Sequence, residues 1–250
     1  MNKPLSIYPL SCVKEIQTGD NLAEQLLASI EENRMTVIDK DIIVVTSKIV
    51  SKSEGRIIKL KDVLPSEITN TIATSMNKDP KLLELIFNEA KNILRVKNGI
   101  IITETEQDII CANSGIDQSN VERGKVVLLP KFPNKSASEI RKHIMKKTGK
   151  KIAIIISDTI GRPWREGLTN IAIGFSGITP FRDYRGKKDI YGKKLESTVI
   201  NIVDELSSAT ELVMGKTEST PFALVRGYEY SHHKDRKPNL LRQRERDFFR

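Results

Sequence analysis

The chain has 250 residues, 38% hydrophobic and 29% charged, which is enough apolar content for a sizeable core in one large domain or two intertwined smaller ones. No apolar run approaches the roughly 18 residues of a membrane helix, and Met1-Asn2-Lys3-Pro4 is not followed by the apolar core of a secretory signal, so a cytoplasmic protein with no membrane partner is expected. The formal net charge of +9 admits anionic partners, but only 5% of residues are aromatic and the basic groups are scattered or in short helical faces such as 141–147, which favours steering of small anions over a nucleic-acid platform.

Residues 7–10 make a short apolar strand, at a sheet edge because of Pro9, and 18–20 read as a turn capping a helix over 21–30. The β-branched run 41–46 suits a buried strand. It leads into a segment where Ser47, Lys48 and Lys52 offer a hydroxyl and two ammonium groups to a polyphosphate. Without the glycine pattern of a P-loop, the same residues are equally readable as exposed groups on a helix or loop.

From 65 to 97 the composition is helical, with Leu82, Leu83, Leu85, Ile86 and Phe87 as a buried face and Pro80 in a first turn. Strands over 99–103 and 109–112 flank the polar residues 104–108 and predict a hairpin, with Asp117 in the loop beyond it. A strand over 126–129 is followed by a linker at 130–135, then by Ser136 as N-cap with Glu139 at capping-box spacing, in a helix ending near Gly149.

The apolar run 152–156 then delivers Ser157-Asp158-Thr159-Ile160-Gly161-Arg162-Pro163-Trp164-Arg165. Two oxygen ligands, a glycine and two guanidiniums fall where a buried strand should end, a combination suited to a hard divalent cation and a phosphate. The plain alternative is a strand-to-loop turn with solvated charges. A second segment of the same design, 109–120, weighs against that alternative, because a divalent ion needs several convergent oxygens.

Beyond it, 169–177 is apolar and glycine-punctuated, and 181–192 is a charged, aromatic loop that either contacts substrate or covers the core. Helical periodicity over 196–213, a polar loop at 214–219 and a strand over 222–227 complete the pass. Cys12 and Cys111 are too few for a disulfide framework and read as reduced thiols. His143, His232 and His233 lack the spacing of a zinc site and read as solvent-facing.

Ser-Lys-Ser-Glu-Gly-Arg at 51–56, Asn-Ser-Gly-Ile-Asp-Gln-Ser-Asn at 113–120, Ser-Asp-Thr-Ile-Gly-Arg at 157–162, Asp-Ile-Tyr-Gly at 189–192 and Met214-Gly215 together resemble the coenzyme F-420-0:L-glutamate ligase family. The resemblance runs in order over nearly the whole chain. It implies an α+β fold with a mixed sheet, in an unusual intertwined two-subdomain arrangement that forms a homodimer with its nucleotide site at the dimer interface. Residues 1–250 would be a single catalytic unit, with any subdomain break near 130–150 and no fused nitroreductase-like domain.

The implied activity is GTP-dependent addition of L-glutamate to the deazaflavin precursor, with magnesium or manganese required and potassium as an activator. Asp117, Asp158 and Thr159 resemble the family's metal ligands, and Asn120 its nucleotide contact. Ser47, Lys48 and Lys52 fall on a nucleotide-binding segment. Val13, Lys14, Glu15 and Ile16, and the loop Gly215, Lys216, Thr217 and Glu218, align with further nucleotide-contacting segments.

One departure stands out. Some relatives carry an acidic or amide residue where this chain has Lys216, and a protonated lysine cannot ligate a cation. Either Glu218 substitutes or Lys216 neutralises phosphate charge directly.

The chemistry expected is phosphorylation of a carboxylate, with the cation held by Asp117 and Asp158, the transferred phosphoryl neutralised by Lys52 and Arg162, and the acyl phosphate attacked by an amine. Trp164 and Tyr191 are open between stacking on an aromatic ligand and packing at the subunit interface. The rival expectations are a related ligase acting on another acyl acceptor and a basic nucleic-acid-binding protein whose aspartates are structural.

Overall fold

The computed structural model describes residues 4–12, 14–232 and 239–248. Along the chain run β1 (Ser6–Leu10), α1 (Leu22–Glu32), β2 (Ile42–Thr46), α2 (Ser47–Ser53), β3 (Ile57–Lys59), α3 (Glu67–Met76), α4 (Pro80–Glu89), β4 (Ala90–Lys97), β5 (Ile100–Thr105) and β6 (Ile110–Ala112). They are followed by β7 (Lys125–Val127), α5 (Pro133–Thr148), β8 (Ala153–Arg162), β9 (Arg165–Ser176), β10 (Phe181–Asp183), β11 (Val199–Asn201), α6 (Ile202–Met214) and β12 (Phe222–Arg226).

Two β-branched runs decide the architecture. β2 and β8 lie side by side and parallel in the middle of a five-stranded sheet of order β1-β12-β2-β8-β9, whose other pairings are antiparallel. Alternate residues enter separate cores. Ile43, Val45, Ile154 and Ile156 pack with α1 and α5 through Leu26, Ile30, Ile140 and Ile144. Ile42, Val44, Ala153 and Ile155 pack with α6 through Val203 and Leu206. A sheet covered on both faces needs apolar residues at every position, which is why both strands read as unbroken runs. Each fully buried isoleucine contributes roughly 1.5–3 kcal/mol of transfer free energy.

The second part of the fold comes from residues between α2 and α5. β3 pairs with β7, and β4, β5 and β6 form a small antiparallel sheet. Its cores are Val63, Leu85, Val126 and Leu128, and Ala73, Leu83, Ile86 and Ile101, with α3 and α4 packed over them. The α+β class with a mixed sheet holds. Among the described residues no helix is long and apolar enough to cross a membrane.

Several local expectations are corrected. The helical stretch proposed over 65–97 ends at Glu89, and 90–97 is strand β4. Asn98 and Gly99 both take positive φ (51° and 74°) and turn β4 into β5, the Asn-Gly hairpin signature that outweighs the helical composition. Helix α5 starts at Pro133 with Phe132 as N-cap, so Ser136 is not the cap; its hydroxyl donates to the Phe132 carbonyl, while proline takes the first-turn position where its missing N–H costs nothing.

Helix α6 starts at Ile202 rather than 196, because Asn201 caps it through the Asp204 N–H and 199–201 pair with β10. β8 does not end at Ser157 but runs on to Arg162, and Pro163-Trp164 turns it into β9 with Trp164 at φ 65°. His143 is half-buried against Glu24, and His232 Nδ1 lies 3.0 Å from the Gly177 carbonyl, so neither is merely solvent-facing. His233 lies outside the described residues.

Candidate active site

Sheet topology gathers the side chains that the sequence offers as phosphate and cation ligands at one edge. The carboxyl ends of β2 and β8 lie together, with Thr46 paired to Ser157, so Ser47 and Asp158 are the next residues out. β12 runs antiparallel to β2, and β1 antiparallel to β12, so the loop before β12 and the loop after β1 open at this same edge. The carboxyl end of parallel strands is where open α/β sheets bind ligands. Two backbone bonds stitch the loops down: Cys12 N–H to the Ser219 carbonyl at 3.2 Å and Gly19 N–H to the Ser53 carbonyl at 2.8 Å.

The smaller unit contributes Asp117 through a constrained turn. Asn113, Ser114 and Gly115 all have positive φ (51°, 56° and 67°), a backbone region that costs non-glycine residues of order 1 kcal/mol or more each. Surrounding bonds enforce it. Ser114 Oγ donates to the Ile86 carbonyl (2.8 Å), and Lys78 Nζ donates to Asn113 Oδ1 (3.0 Å). A Cβ on Gly115 would meet Leu129 Cδ1 at 2.7 Å, so glycine is required there by space as well as by φ.

Two carboxylates then face each other across the cluster. Ser47 Oγ donates to Asp158 Oδ1 at 2.5 Å. Lys48 Nζ lies 2.7 Å from Asp117 Oδ2 and 2.7 Å from Ser119 Oγ, and the Ser119 N–H donates to Asp117 Oδ1 at 2.7 Å. Burial pushes the Asp158 carboxyl up; the Ser47 and Thr159 bonds pull against it, and the nearby Asp117 charge adds to the rise. Burial also acts upward on Asp117, but the hydrogen bonds from Lys48 and Ser119 outweigh it and hold that carboxyl below its ordinary value. Two neighbouring carboxylates pushed in opposite directions make this cluster the candidate site.

Thr159 leaves β8 on the other side of the strand from Asp158, as consecutive strand residues do. Its hydroxyl donates to Asn170 Oδ1 (2.7 Å) and accepts from Lys216 Nζ (2.8 Å). Lys216 also pairs with Glu211 Oε1 at 2.8 Å. Asn120 Nδ2 approaches the Lys216 carbonyl at 3.5 Å, joining the Asp117 loop to the loop of Gly215, Thr217 and Glu218. Lys52, buried in α2, pairs with Glu15 at 3.2 Å, and Lys14 with Asp20 at 2.8 Å, while Ile16 is a core residue.

The structure therefore brings Ser47, Lys48, Asp117, Asn120, Asp158 and, around the strand edge, Thr159 and Lys216 into one cluster, with Lys52 and Glu15 beside it. Val13 lies outside the described residues. Arg162 is exposed four residues further along the hairpin and is not joined to the cluster. Trp164 and Tyr191 are 87% and 89% exposed.

The donor set fits a hard divalent cation. Burial disfavours the Asp158 charge, which a bound cation would stabilise, and Ser47 already presents a hydroxyl oxygen to that carboxylate. Among the described residues no group of three or more His, Cys, Asp or Glu side chains could hold a metal ion, so two carboxylates would need hydroxyl, phosphate and water to complete a shell. That is the usual manner of magnesium bound with a nucleotide.

Residues 12–227 match the family described as F420-0:Gamma-glutamyl ligase. The chain belongs to that family. Among its relatives are three proteins named Coenzyme F420:L-glutamate ligase. That of Methanothermobacter thermautotrophicus is 42% identical over 250 residues, covering 98% of this chain and 99% of its own. That of Methanocaldococcus jannaschii is 43% identical over 213 residues, 85% of each chain. That of Methanopyrus kandleri is 38% identical over 251 residues, 98% of each. The F420-0:gamma-glutamyl ligase match thus spans both parts of the fold and every segment of the cluster.

Three participants escaped the sequence reading. Ser119 sits inside the 113–120 motif, where its bond to Asp117 two residues back is a standard turn and was readable. Asn170 and Glu211 carry no local signal: one is a polar residue in a β-hairpin and the other one of many charged residues on a helix, and only folding joins them.

Proposed function

We propose that the protein adds L-glutamate to the deazaflavin precursor of coenzyme F420 in a GTP-dependent reaction. Family membership supplies the reaction class. The observation that carries the site assignment is the pairing of Ser47 with Asp158 and of Lys48 with Asp117 at the carboxyl ends of β2 and β8.

In this scheme Asp117 and Asp158 hold a magnesium or manganese ion, with Thr159 near it, and the ion supplies charge neutralisation to the triphosphate. Lys48 and Lys52 place ammonium groups along the phosphates, and the 215–218 loop, with Asn120, borders the nucleotide's path. A carboxylate oxygen of the precursor attacks the γ-phosphorus, the bond to the bridging oxygen breaks and GDP leaves. The amine of glutamate attacks the acyl carbon, phosphate departs with the bonding pair, and the nitrogen gives up a proton as the amide forms. Arg162, expected beside Lys52 on the transferred phosphoryl, stands at the exposed hairpin tip.

The scheme includes a homodimer. The β8–β9 hairpin extends past the Thr46–Ser157 pair and carries Trp164 and Leu168 at 87% and 70% exposure, an apolar tip that a second copy would cover. Potassium, as activator, has no residue assigned to it.

The test is phosphate release. Release from GTP that requires precursor, L-glutamate and a divalent cation together supports the scheme. Release indifferent to the precursor would point to another acyl acceptor and refute it.

A further inference from the structure

We propose that Glu211 and Asn170 are positioning residues that hold the Lys216 ammonium at the edge of the cluster, ready for a phosphate oxygen. The inference rests on the reading of the cluster as a nucleotide triphosphate site.

Four bonds close a ring. Lys216 Nζ donates to Glu211 Oε1 (2.8 Å) and to Thr159 Oγ1 (2.8 Å); Thr159 Oγ1 donates to Asn170 Oδ1 (2.7 Å); Asn170 Nδ2 donates to Glu211 Oε2 (2.7 Å). Asn170 is only 2% exposed, and both ends of its amide are spent inside the ring. Its orientation is thereby fixed, as a buried amide requires. Glu211 uses both carboxylate oxygens, one on each neighbour.

Geometry of the chain makes the ring possible. Glu211 stands in the last turn of α6, and the helix stops at Gly215, whose φ of 59° and ψ of −165° turn the chain back on itself. Lys216 is then the first residue of the returning loop, and its side chain reaches back to a residue five positions earlier. Thr159 and Asn170 are directly opposite each other on β8 and β9, so the ring joins the helix, the hairpin and the loop.

The consequence is chemical. An ammonium has three N–H donors. Two are committed within the ring, so the third has a defined direction although the side chain is 56% exposed. Asn120 Nδ2 lies 3.5 Å from the Lys216 carbonyl, so the loop that carries the ammonium adjoins the loop that carries Asp117. A cation that is already ordered loses less conformational freedom when an anion arrives. Glu211 therefore assists binding although its own charge repels phosphate.

The experiment is a double-mutant cycle read by titration with a fluorescent GTP analogue and by the division of steady-state effects between KM and kcat. Lys216→Met should weaken nucleotide binding about tenfold through loss of one charge-assisted contact, and Glu211→Gln by several-fold through loss of orientation. Because both act through one ammonium, the double variant should bind no more weakly than Lys216→Met alone. The Glu211→Gln loss should fall mainly on KM for nucleotide.

Unchanged affinity in Glu211→Gln, or effects that multiply in the double variant, would overturn the proposal while leaving the ligase assignment in place. A parent protein that turns over but whose analogue affinity is the same in all three variants has the same meaning. A parent protein that binds no triphosphate overturns both.

Discussion

Asp117 and Asp158 should respond oppositely in stability and alike in activity when each is replaced by asparagine. Asp158→Asn keeps the shape, and its carbonyl still accepts from Ser47. Burial raises the Asp158 pKa, so the folded protein disfavours the charge. Removing the charge should stabilise the protein at neutral pH, and a gain of about 1 kcal/mol would raise Tm by roughly 2–4 °C in a chain of this size.

Asp117→Asn loses a favourable pairing with Lys48 instead. The Asp117 side chain is 43% exposed, and solvent screening keeps that loss to about 1 kcal/mol or less. The pH dependence separates the two. Asp158 has a raised folded pKa, so parent and Asp158→Asn should agree below about pH 3.9 and diverge, with the variant more stable, as pH rises through the folded value. The Asp117 carboxyl is lowered, so its contribution is present above about pH 3.9 and is lost as pH falls through the folded value.

Turnover should fall in both by about two to four orders of magnitude, the loss of several kcal/mol of charge stabilisation at about 1.4 kcal/mol per decade. Thermal unfolding across pH and single-time-point product assays suffice. Asp158→Asn with turnover within about threefold of the parent, or destabilised to the same degree as Asp117→Asn, would refute the reasoning.

Other substitutions test other links. Gly115→Ala adds a Cβ 2.7 Å from Leu129 at φ 67° and should cost about 1–3 kcal/mol while displacing Asp117, measured as a lower Tm together with weaker cation binding. Arg226→Met strips the fully buried Asp41 carboxylate of two bonds of 2.8 Å each and should cost about 3–5 kcal/mol; adding Asp41→Asn should restore most of it, as read by denaturant midpoint. Lys48→Met should let the Asp117 carboxyl rise toward or above its ordinary value, seen in an NMR titration of labelled aspartate, and should weaken nucleotide binding in parallel.

The parts that sequence exposed are those where one residue type has one physical use. Unbroken β-branched runs at 42–46 and 154–156 required a sheet buried on both faces, and Pro9 required an edge strand. Asp117 and Asp158 were visible because each follows an apolar strand and stands among glycine and hydroxyl residues. What stayed hidden depended on competition between local signals or on distant partners. The Asn98-Gly99 turn overrode a helical composition, and Pro163-Trp164 kept β8 extended four residues past Asp158. The opposite perturbation of the two carboxylates could not be read, since the rise at Asp158 comes chiefly from burial in the folded sheet and the fall at Asp117 from hydrogen bonds that Lys48 and Ser119 make to it.

The central claim is tested most directly by mass spectrometry of the deazaflavin precursor after incubation with the purified protein, GTP, L-glutamate and manganese, beside metal-free and ATP controls. The account predicts product heavier by one or more glutamyl residues, formed only when both metal and GTP are present. Precursor of unchanged mass, whether or not GTP is consumed, would contradict it.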